Sequence, residues 1–564
     1  MVIIVLSSQG GFFMTRFRKN IIHSRLQNFG YIVCLVFILL IGRLYYLQIY
    51  NNKDLKNQSL KQRGSEINLY PKRGIVYDKN LIPLTNRERV TTLVIPKDKL
   101  LKDKELLNEV KKNTILSLVT FNEILNSNSK LIQIPLKQKM SIENGNNDMF
   151  MVDITNRYSQ DNLLSHVLGY VNKSENRGES GIEKVYDDLL KEGEKKSLFI
   201  EFDKGRRIIL GGAYSVENNP DPKNPGGVKL TIDYPIQKIV ETTLDENRER
   251  GSVIVADIKT GDILAMASRP NFNQEDIEGY LRGDDMALYN KAIQVAYPPG
   301  SLFKIVVLLA ALEESPDYIY KDYYCKGYEE IKNLTISCNR INGHGNISLK
   351  NAFAKSCNSV FIQLGKDLGA EAIINMAKKL GFGEKQSIGL LEEVEGNLPK
   401  GKELIGPAIG NISIGQGNIE ATPLQITNMM ITIANKGIQK DMSIVKGITT
   451  KDGEMIKEFH REKDKRVISE FNSEIAQKML EEVVLSGTAR SIDLSNIGGG
   501  AGKTGSAQAI LNRRETIHGW FAGYYPVDNP KYAITVFIEE GNSGSKSAVP
   551  IFEKICKEIY SINR

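Results

Sequence analysis

Apolar residues run without a break from Phe29 to Gly42, and Leu44, Tyr45, Tyr46, Leu47 and Ile49 extend the run past a single Arg43. That length matches the roughly 20 residues a helix needs to cross a bilayer. Arg43 can snorkel toward headgroups, and the tyrosines beside it suit the membrane interface. Arg16, Arg18, Lys19 and Arg25 precede the run with no acidic residue between them. The positive-inside rule then predicts a cytoplasmic segment over 1–28, a single-pass anchor over 29–49 and everything later outside the membrane. A cleaved signal peptide and a buried core helix are the competing readings, but no small-x-small site follows the run and core helices seldom carry such flanks. Met14 immediately precedes the basic segment, so no inference is built on residues 1–13.

Between 50 and 217 the pattern switches among short strands, turns and charged helices, with no grouping of nucleophile, base and acid. It predicts an elongated, non-catalytic pedestal of mixed structure. Pro, Gly and Asn concentrate at 218–227 (NNPDPKNPGG), after which Val228–Ile232 alternates like a strand entering a second domain over 228–564. Two apolar strands, 252–258 and 262–267, flank a tight turn at Lys259-Thr260-Gly261. Helices are expected over 301–314, 349–365, 370–380 and 473–486, with another opening at Thr422-Pro423, a good N-cap followed by proline. Strands return at 504–510, 518–525 and 532–539 before a last helix over 549–562. Strands, a helical block, then strands and a closing helix describe an α+β domain whose antiparallel sheet is flanked by helices.

The chain of 564 residues is 41% hydrophobic and 25% charged, the composition of folded domains rather than disorder. A formal charge of +7 is mild at this length, and no Lys/Arg tract with interleaved aromatics tracks a phosphate backbone, so nucleic acid is not an expected partner. Cys34, Cys325, Cys338, Cys357 and Cys556 form no C-x-x-C pair, and the five histidines are scattered. That spacing argues against a metal, and no cofactor is expected.

Three short patterns occur in order: Ser301-Leu302-Phe303-Lys304, Ser356-Cys357-Asn358 and Lys503-Thr504-Gly505. Each is weak alone, and Ser174-Glu175-Asn176 and Lys259-Thr260-Gly261 are decoys for two of them. Context separates them. Tyr297-Pro298-Pro299-Gly300 halts the chain, and an almost wholly apolar helix then begins in which Lys304 is the one basic residue before Glu313. Three residues apart, Ser301 and Lys304 share a face. An amine in such surroundings loses hydration as a cation, so its neutral form becomes able to take the serine proton. A serine N-cap followed by a snorkelling lysine is the plain alternative. Ser356 and Asn358 lie in a helix-rich stretch where a turn can aim both at one cleft, a hydroxyl to relay a proton and an amide to hold a peptide group. Lys503 follows a run of small residues, Gly498 to Gly502, and leads into Ser506. Read as an edge strand, this segment pairs with an extended peptide, with Lys503 and Thr504 meeting a terminal carboxylate.

The set S-x-x-K, S-x-N and K-T-G resembles the signature of penicillin-binding proteins and serine β-lactamases. The segment 73–78 (RGIVYD) looks like the opening of the pedestal in class B, monofunctional members, and 178–183 (GESGIE) like a second element of it. Tyr297 to Lys304, Gly415-Gln416-Gly417, Thr422-Pro423-Leu424-Gln425 and Trp520 to Tyr524 are similar to further family segments. The resemblance covers about residues 30 to 562.

It implies a membrane-bound peptidoglycan D,D-transpeptidase, with Ser301 acylated, Lys304 its base and Ser356 a relay. Asn358, Lys503, Thr504, Gly505 and Ser506 would bind substrate, and the backbone N–H groups of Ser301 and Ser506 would form the oxyanion hole. Expected partners are D-Ala-D-Ala stem peptides, β-lactam antibiotics and a multi-pass membrane glycosyltransferase. Cys357 fills a variable place in the family pattern and is expected to be a packed small residue. Cys325 and Cys338 flank a short polar loop on the outer side, where a disulfide or two free thiols are both open readings. A β-lactamase or β-lactam sensor shares the three patterns, but the long pedestal argues against it; a non-catalytic scaffold conflicts with the intact nucleophile and lysines.

Overall fold

The computed structural model describes residues 10–52, 55, 64–70, 73–140, 149–191, 195–201, 214–218, 225–247, 249–281, 283, 286–462, 464–511 and 514–563. The apolar run lies in a helix over Gly10–Tyr45 that continues as a π turn through Tyr50. Ser24–Tyr50, 27 residues, is long and apolar enough to span a membrane. Leu35, Phe37, Ile38 and Leu39 on it are exposed, an apolar surface of the kind a membrane-spanning helix presents to lipid.

In the pedestal, Glu88–Pro96 pairs antiparallel with Leu131–Pro135 on one side and Phe150–Asn156 on the other. Strand side chains alternate between faces. Leu93 and Ile95 therefore join Val110 and Phe121 of two covering helices in one cluster, while Val94 packs with Ile67 on the opposite face. The two segments that look like pedestal elements meet in a buried ionic knot. Glu183 accepts from Arg73 Nε at 2.8 Å, Arg157 Nε at 2.7 Å and the Tyr158 hydroxyl at 3.1 Å. Arg73 also reaches Asp187 at 3.0 Å. Two guanidiniums around one buried carboxylate offset the cost of removing it from water.

Residues 219–224 of the expected linker lie outside the described residues. The strand after it, Pro225–Leu230, pairs antiparallel with Val445–Thr450 and parallel with Ile75–Tyr77, in the register Gly227 to Ile75 and Lys229 to Tyr77. Segments from before and after the expected linker thus share one sheet. Asp78, just beyond, accepts from the N–H of Tyr234, where the first helix of the second domain starts.

That domain is built on five antiparallel strands: β1 (Gly251–Asp257), β2 (Ile263–Arg269), β3 (Ala501–Leu511), β4 (Arg514–Tyr525) and β5 (Tyr532–Ile538), in the order β2-β1-β5-β4-β3. The helices that matter for the site are α1 (Tyr234–Asn247), α2 (Lys304–Glu314), α3 (Leu349–Ala354), α4 (Asn358–Leu368), α5 (Pro423–Ala434), α6 (Glu470–Leu485) and α7 (Gly544–Ile562). Phe521 of β4 meets Phe552 of α7 on one face, and Thr535 of β5 bonds Thr427 of α5 on the other. Every residue of β5 is buried, as expected of a strand covered on both sides.

Most expected elements are present, with shifts that have local causes. The single helix expected over 349–365 is two, α3 and α4, broken at Lys355-Ser356-Cys357 where Ser356 has φ +56°. The helix expected from Ser301 opens as a 3₁₀ turn, Gly300–Phe303, before α2. Thr422 caps α5 in a reciprocal box with Gln425. The last helix starts at Gly544 and carries Pro550 inside. Both decoys are turns: Asp257 Oδ1 accepts from the N–H groups of Lys259 and Thr260, and Asn172 Oδ1 from that of Ser174.

Candidate active site

The chain reaches Ser301 through a fixed approach. Tyr297 and Ala421 exchange two backbone hydrogen bonds of 2.9 Å, and the Gly300 N–H donates to Gly415 O at 2.9 Å. Gly300 has φ +53°, and a Cβ there would lie 2.7 Å from Ser506 O. Glycine alone lets this turn close onto β3. Below it, Glu539 accepts from the Tyr297 hydroxyl at 2.9 Å and from Lys291 Nζ at 2.5 Å and pairs with Arg250 at 3.6 Å, so a buried, well-partnered carboxylate holds the turn from the sheet side. The 3₁₀ turn ends at Phe303 and Lys304 opens α2, so Ser301 and Lys304 stand three residues apart across that junction.

Lys304 is fully buried. Its Nζ donates to Ser356 O at 2.7 Å, to Ser356 Oγ at 3.2 Å and to Asn358 Oδ1 at 2.8 Å. Burial lowers its pKa to about 8, against a smaller upward pull from Cys357 and Cys338. The left-handed backbone at Ser356, costly for a residue with a Cβ, presents both its carbonyl and its hydroxyl to this amine. Asn358 opens α4 and donates through Nδ2 to Ser337 O at 3.0 Å.

Across the cleft, β3 carries Lys503, Thr504, Gly505 and Ser506 on the edge of the sheet. Lys503 is fully buried, lies over the Phe353 ring and donates to Thr504 O at 3.2 Å. Burial, then repulsion from Lys304, pushes its pKa well below the usual lysine value. Thr504 Oγ1 is 2.6 Å from Thr488 Oγ1. A Cβ on Gly505 would press on Trp520 Cβ at 2.9 Å and on Pro299 O at 3.1 Å, so this residue serves the close packing of β3 on the Ser301 turn. Ser506 Oγ accepts from the Gly544 N–H at 3.3 Å.

Ser301, Ser356, Asn358, Thr504 and Ser506 line one cleft. Lys304 touches two of them from below, and Lys503 is near enough to Lys304 for their charges to repel. Six further lining residues were not singled out from sequence for a role here: Asn339, Ile414, Gln416, Thr488, Ser543 and Ser545. Gln416 had a signal in its flanking glycines. Ser543 and Ser545, at the start of α7, and Thr488, after α6, read as ordinary cap or turn residues until the chain folds.

Residues that the sequence keeps far apart, and whose spacing gave no metal motif, are brought together by the fold. Cys325, Cys338, His344 and Cys357 bring one ligand atom each to within 4.8 Å of one another. Their separations of 13, 6 and 13 residues follow no short motif, because the ends of three strands and a turn between helices supply them. All three cysteines are unbridged, so of the two readings for Cys325 and Cys338 the structure has free thiols.

Residues 251–557 match the family described as the penicillin binding protein transpeptidase domain. Over its length the chain is 30% identical to stage V sporulation protein D of Bacillus subtilis (strain 168), covering 93% of this chain and 83% of that protein. It is 27% identical to peptidoglycan D,D-transpeptidase MrdA of Acinetobacter baumannii, over 93% of this chain and 85% of that one. Penicillin-binding protein PBP2 from Helicobacter pylori superposes with a TM-score of 0.65 at 24% identity, covering 88% of this chain and 99% of that chain, which establishes a shared fold. The fold and the family match together define an enzyme with a transpeptidase domain and an N-terminal apolar helix. The chain belongs to the penicillin-binding protein transpeptidases, as a monofunctional, class B member.

Proposed function

We propose that Ser301 is the nucleophile through which this peptidoglycan D,D-transpeptidase cross-links stem peptides. Its Oγ attacks the penultimate D-Ala carbonyl while neutral Lys304 takes the proton. The N–H groups of Ser301 and Ser506 receive the oxyanion. Ser356 relays a proton from Lys304 to the departing D-Ala amine, the C–N bond breaks, and an acyl ester remains on Ser301. An amine of a second stem peptide then attacks the ester, gives up its proton along the same path and frees the hydroxyl. Asn358 holds the substrate amide, and Lys503 with Thr504 and Thr488 meets the terminal carboxylate, which supplies the counter-charge that a buried ammonium lacks.

The observation that carries this reading is the buried Lys304 amine bonded to Ser356 and Asn358 beneath the cleft that Ser301 lines. A β-lactam presents a strained amide to the same hydroxyl and is trapped as a stable ester. A fluorescent penicillin is expected to label the full-length protein and to leave Ser301→Ala unlabelled; equal labelling of a folded Ser301→Ala protein would remove the assignment.

We also propose that residues 50–217 act as a non-catalytic pedestal and 228–564 as the transpeptidase unit. The N-terminus lies in the cytoplasm by the charge asymmetry of Arg16, Arg18, Lys19 and Arg25, and a multi-pass membrane glycosyltransferase supplies the glycan strands. Charge asymmetry and family resemblance support these last two readings. Labelling of single cysteines introduced at 20 and at the exposed position 104 by a membrane-impermeant maleimide on intact cells tests the topology: modification at 20 and protection at 104 would reverse it.

A further inference from the structure

We propose that Glu539 is a positioning residue for acylation: acting through the Tyr297 hydroxyl, it fixes the Ser301 turn against β3 and so sets the gap between the two N–H groups that receive the oxyanion. This role rests on Ser301 being the nucleophile and on the N–H groups of Ser301 and Ser506 being the oxyanion donors.

The two donors come from different pieces of chain. Ser506 lies on β3 at the edge of the sheet, and Ser301 lies on the turn that packs against it. The ladder to β4 and on to β5 holds the first donor. The second needs a tie to the same sheet, and Glu539 supplies one. It directly follows β5, and its N–H donates at 2.8 Å to the carbonyl of Arg250, just ahead of β1. Its Oε1 accepts from the Tyr297 hydroxyl at 2.9 Å. Burial and then the nearby Glu539 push the Tyr297 pKa well above the usual tyrosine value, so the phenol keeps the proton it donates. Lys291 Nζ at 2.5 Å and Arg250 Nε at 3.6 Å supply the counter-charge. A buried ion pair adds little net stability over apolar residues of equal volume, and fixing a geometry is a use that such residues could not serve.

Between Tyr297 and Ser301 the chain has little freedom to absorb a shift. Pro298 and Pro299 have φ fixed by their rings. The Pro298 carbonyl accepts from Trp520 Nε1 at 3.2 Å, and the backbones of Tyr297 and Gly300 are bonded to Ala421 and Gly415. The Tyr297 ring packs on Phe537 with centroids 4.0 Å apart and meets His518 edge-on at 5.5 Å. A displacement at the phenol oxygen is therefore passed along to residue 301. Oxyanion donors act within a narrow range of about 2.7–3.1 Å, and a misplacement of about 1 Å that originates far from the chemistry can cost about 100-fold in rate.

Stopped-flow acylation of the full-length protein in detergent by a fluorescent penicillin separates reversible affinity, the acylation rate constant and the final labelled fraction. Tyr297→Phe removes one hydroxyl and keeps the ring packing. It is expected to acylate about tenfold more slowly, at unchanged reversible affinity and with the same final labelled fraction as wild type. Glu539→Gln alone would strand the buried Lys291 ammonium, so the carboxylate is tested in two neutral pairs. Lys291→Met/Glu539→Gln keeps an acceptor for Tyr297, and Lys291→Met/Glu539→Leu does not. The first is expected to acylate about tenfold faster than the second, and adding Tyr297→Phe to the second should change nothing further. A wild-type rate constant in Tyr297→Phe overturns the role, as do equal rate constants in the two neutral pairs. So does a loss confined to reversible affinity or labelled fraction, which is the mark of packing alone. A wild-type adduct mapped to a residue other than Ser301 sinks the nucleophile itself, before any variant is read.

Discussion

Lys304 decides how the hydroxyl beside it responds to acidity. Burial lowers its pKa to about 8, and a general base acts in its neutral form, which grows about tenfold per pH unit below the pKa and saturates above it. The second-order rate of penicillin acylation is therefore expected to climb steeply from pH 6 and to level off near pH 8. A profile that is flat or falling over that interval, in stopped-flow or gel-based labelling, would take the base assignment away from this amine. Lys304 and Ser301 were legible in the sequence because a lone cation in an apolar helix has few structural explanations. The cluster of Cys325, Cys338, His344 and Cys357 was not, since nothing in their separations of 13, 6 and 13 residues marks them as neighbours. Only the three-dimensional path of the chain brings their atoms within 4.8 Å.

Elements were read best where a side chain marks their ends. Thr422 accepts from the Gln425 N–H at 3.2 Å, and Gln425 Oε1 accepts from the Thr422 N–H at 3.0 Å. Thr422→Ala is expected to destabilise the domain by about 1 kcal/mol and to lower Tm by roughly 2–4 °C, while Thr422→Ser stays near wild type; equal Tm values for all three proteins in calorimetry would show the cap to be idle. A turn near Ser356 and Asn358 was anticipated, but the helix bounds ran through it because Lys355-Ser356-Cys357 contains neither glycine nor proline. A continuous apolar periodicity runs through it, and the turn is imposed by tertiary contacts at Lys304 and Ser337 rather than by local preference. The start of α7 was placed late because Pro550 reads as a boundary, whereas the helix carries it six residues in. That hidden first turn sets Ser543 and Ser545 at the cleft.

At the scale of the molecule, the apolar anchor, the α+β class and the order of the three motifs were legible, since each depends on residues near one another in the chain. Long-range pairings were not: nothing in Ile75-Val76-Tyr77 announces a parallel partner some 150 residues on. This shared strand limits how the enzyme can be cut for laboratory use. Recombinant material truncated at 228 would leave Val228–Leu230 as a naked sheet border, and unpaired amides of that kind recruit other chains into aggregates. Material starting at 73, beyond the anchor, keeps the border covered and retains the Arg73–Glu183 ion pair. Gel filtration of both truncations should return the longer one as a single soluble species and the shorter one in the void volume. Inhibitor screens on the minimal catalytic piece would then be measuring a damaged protein.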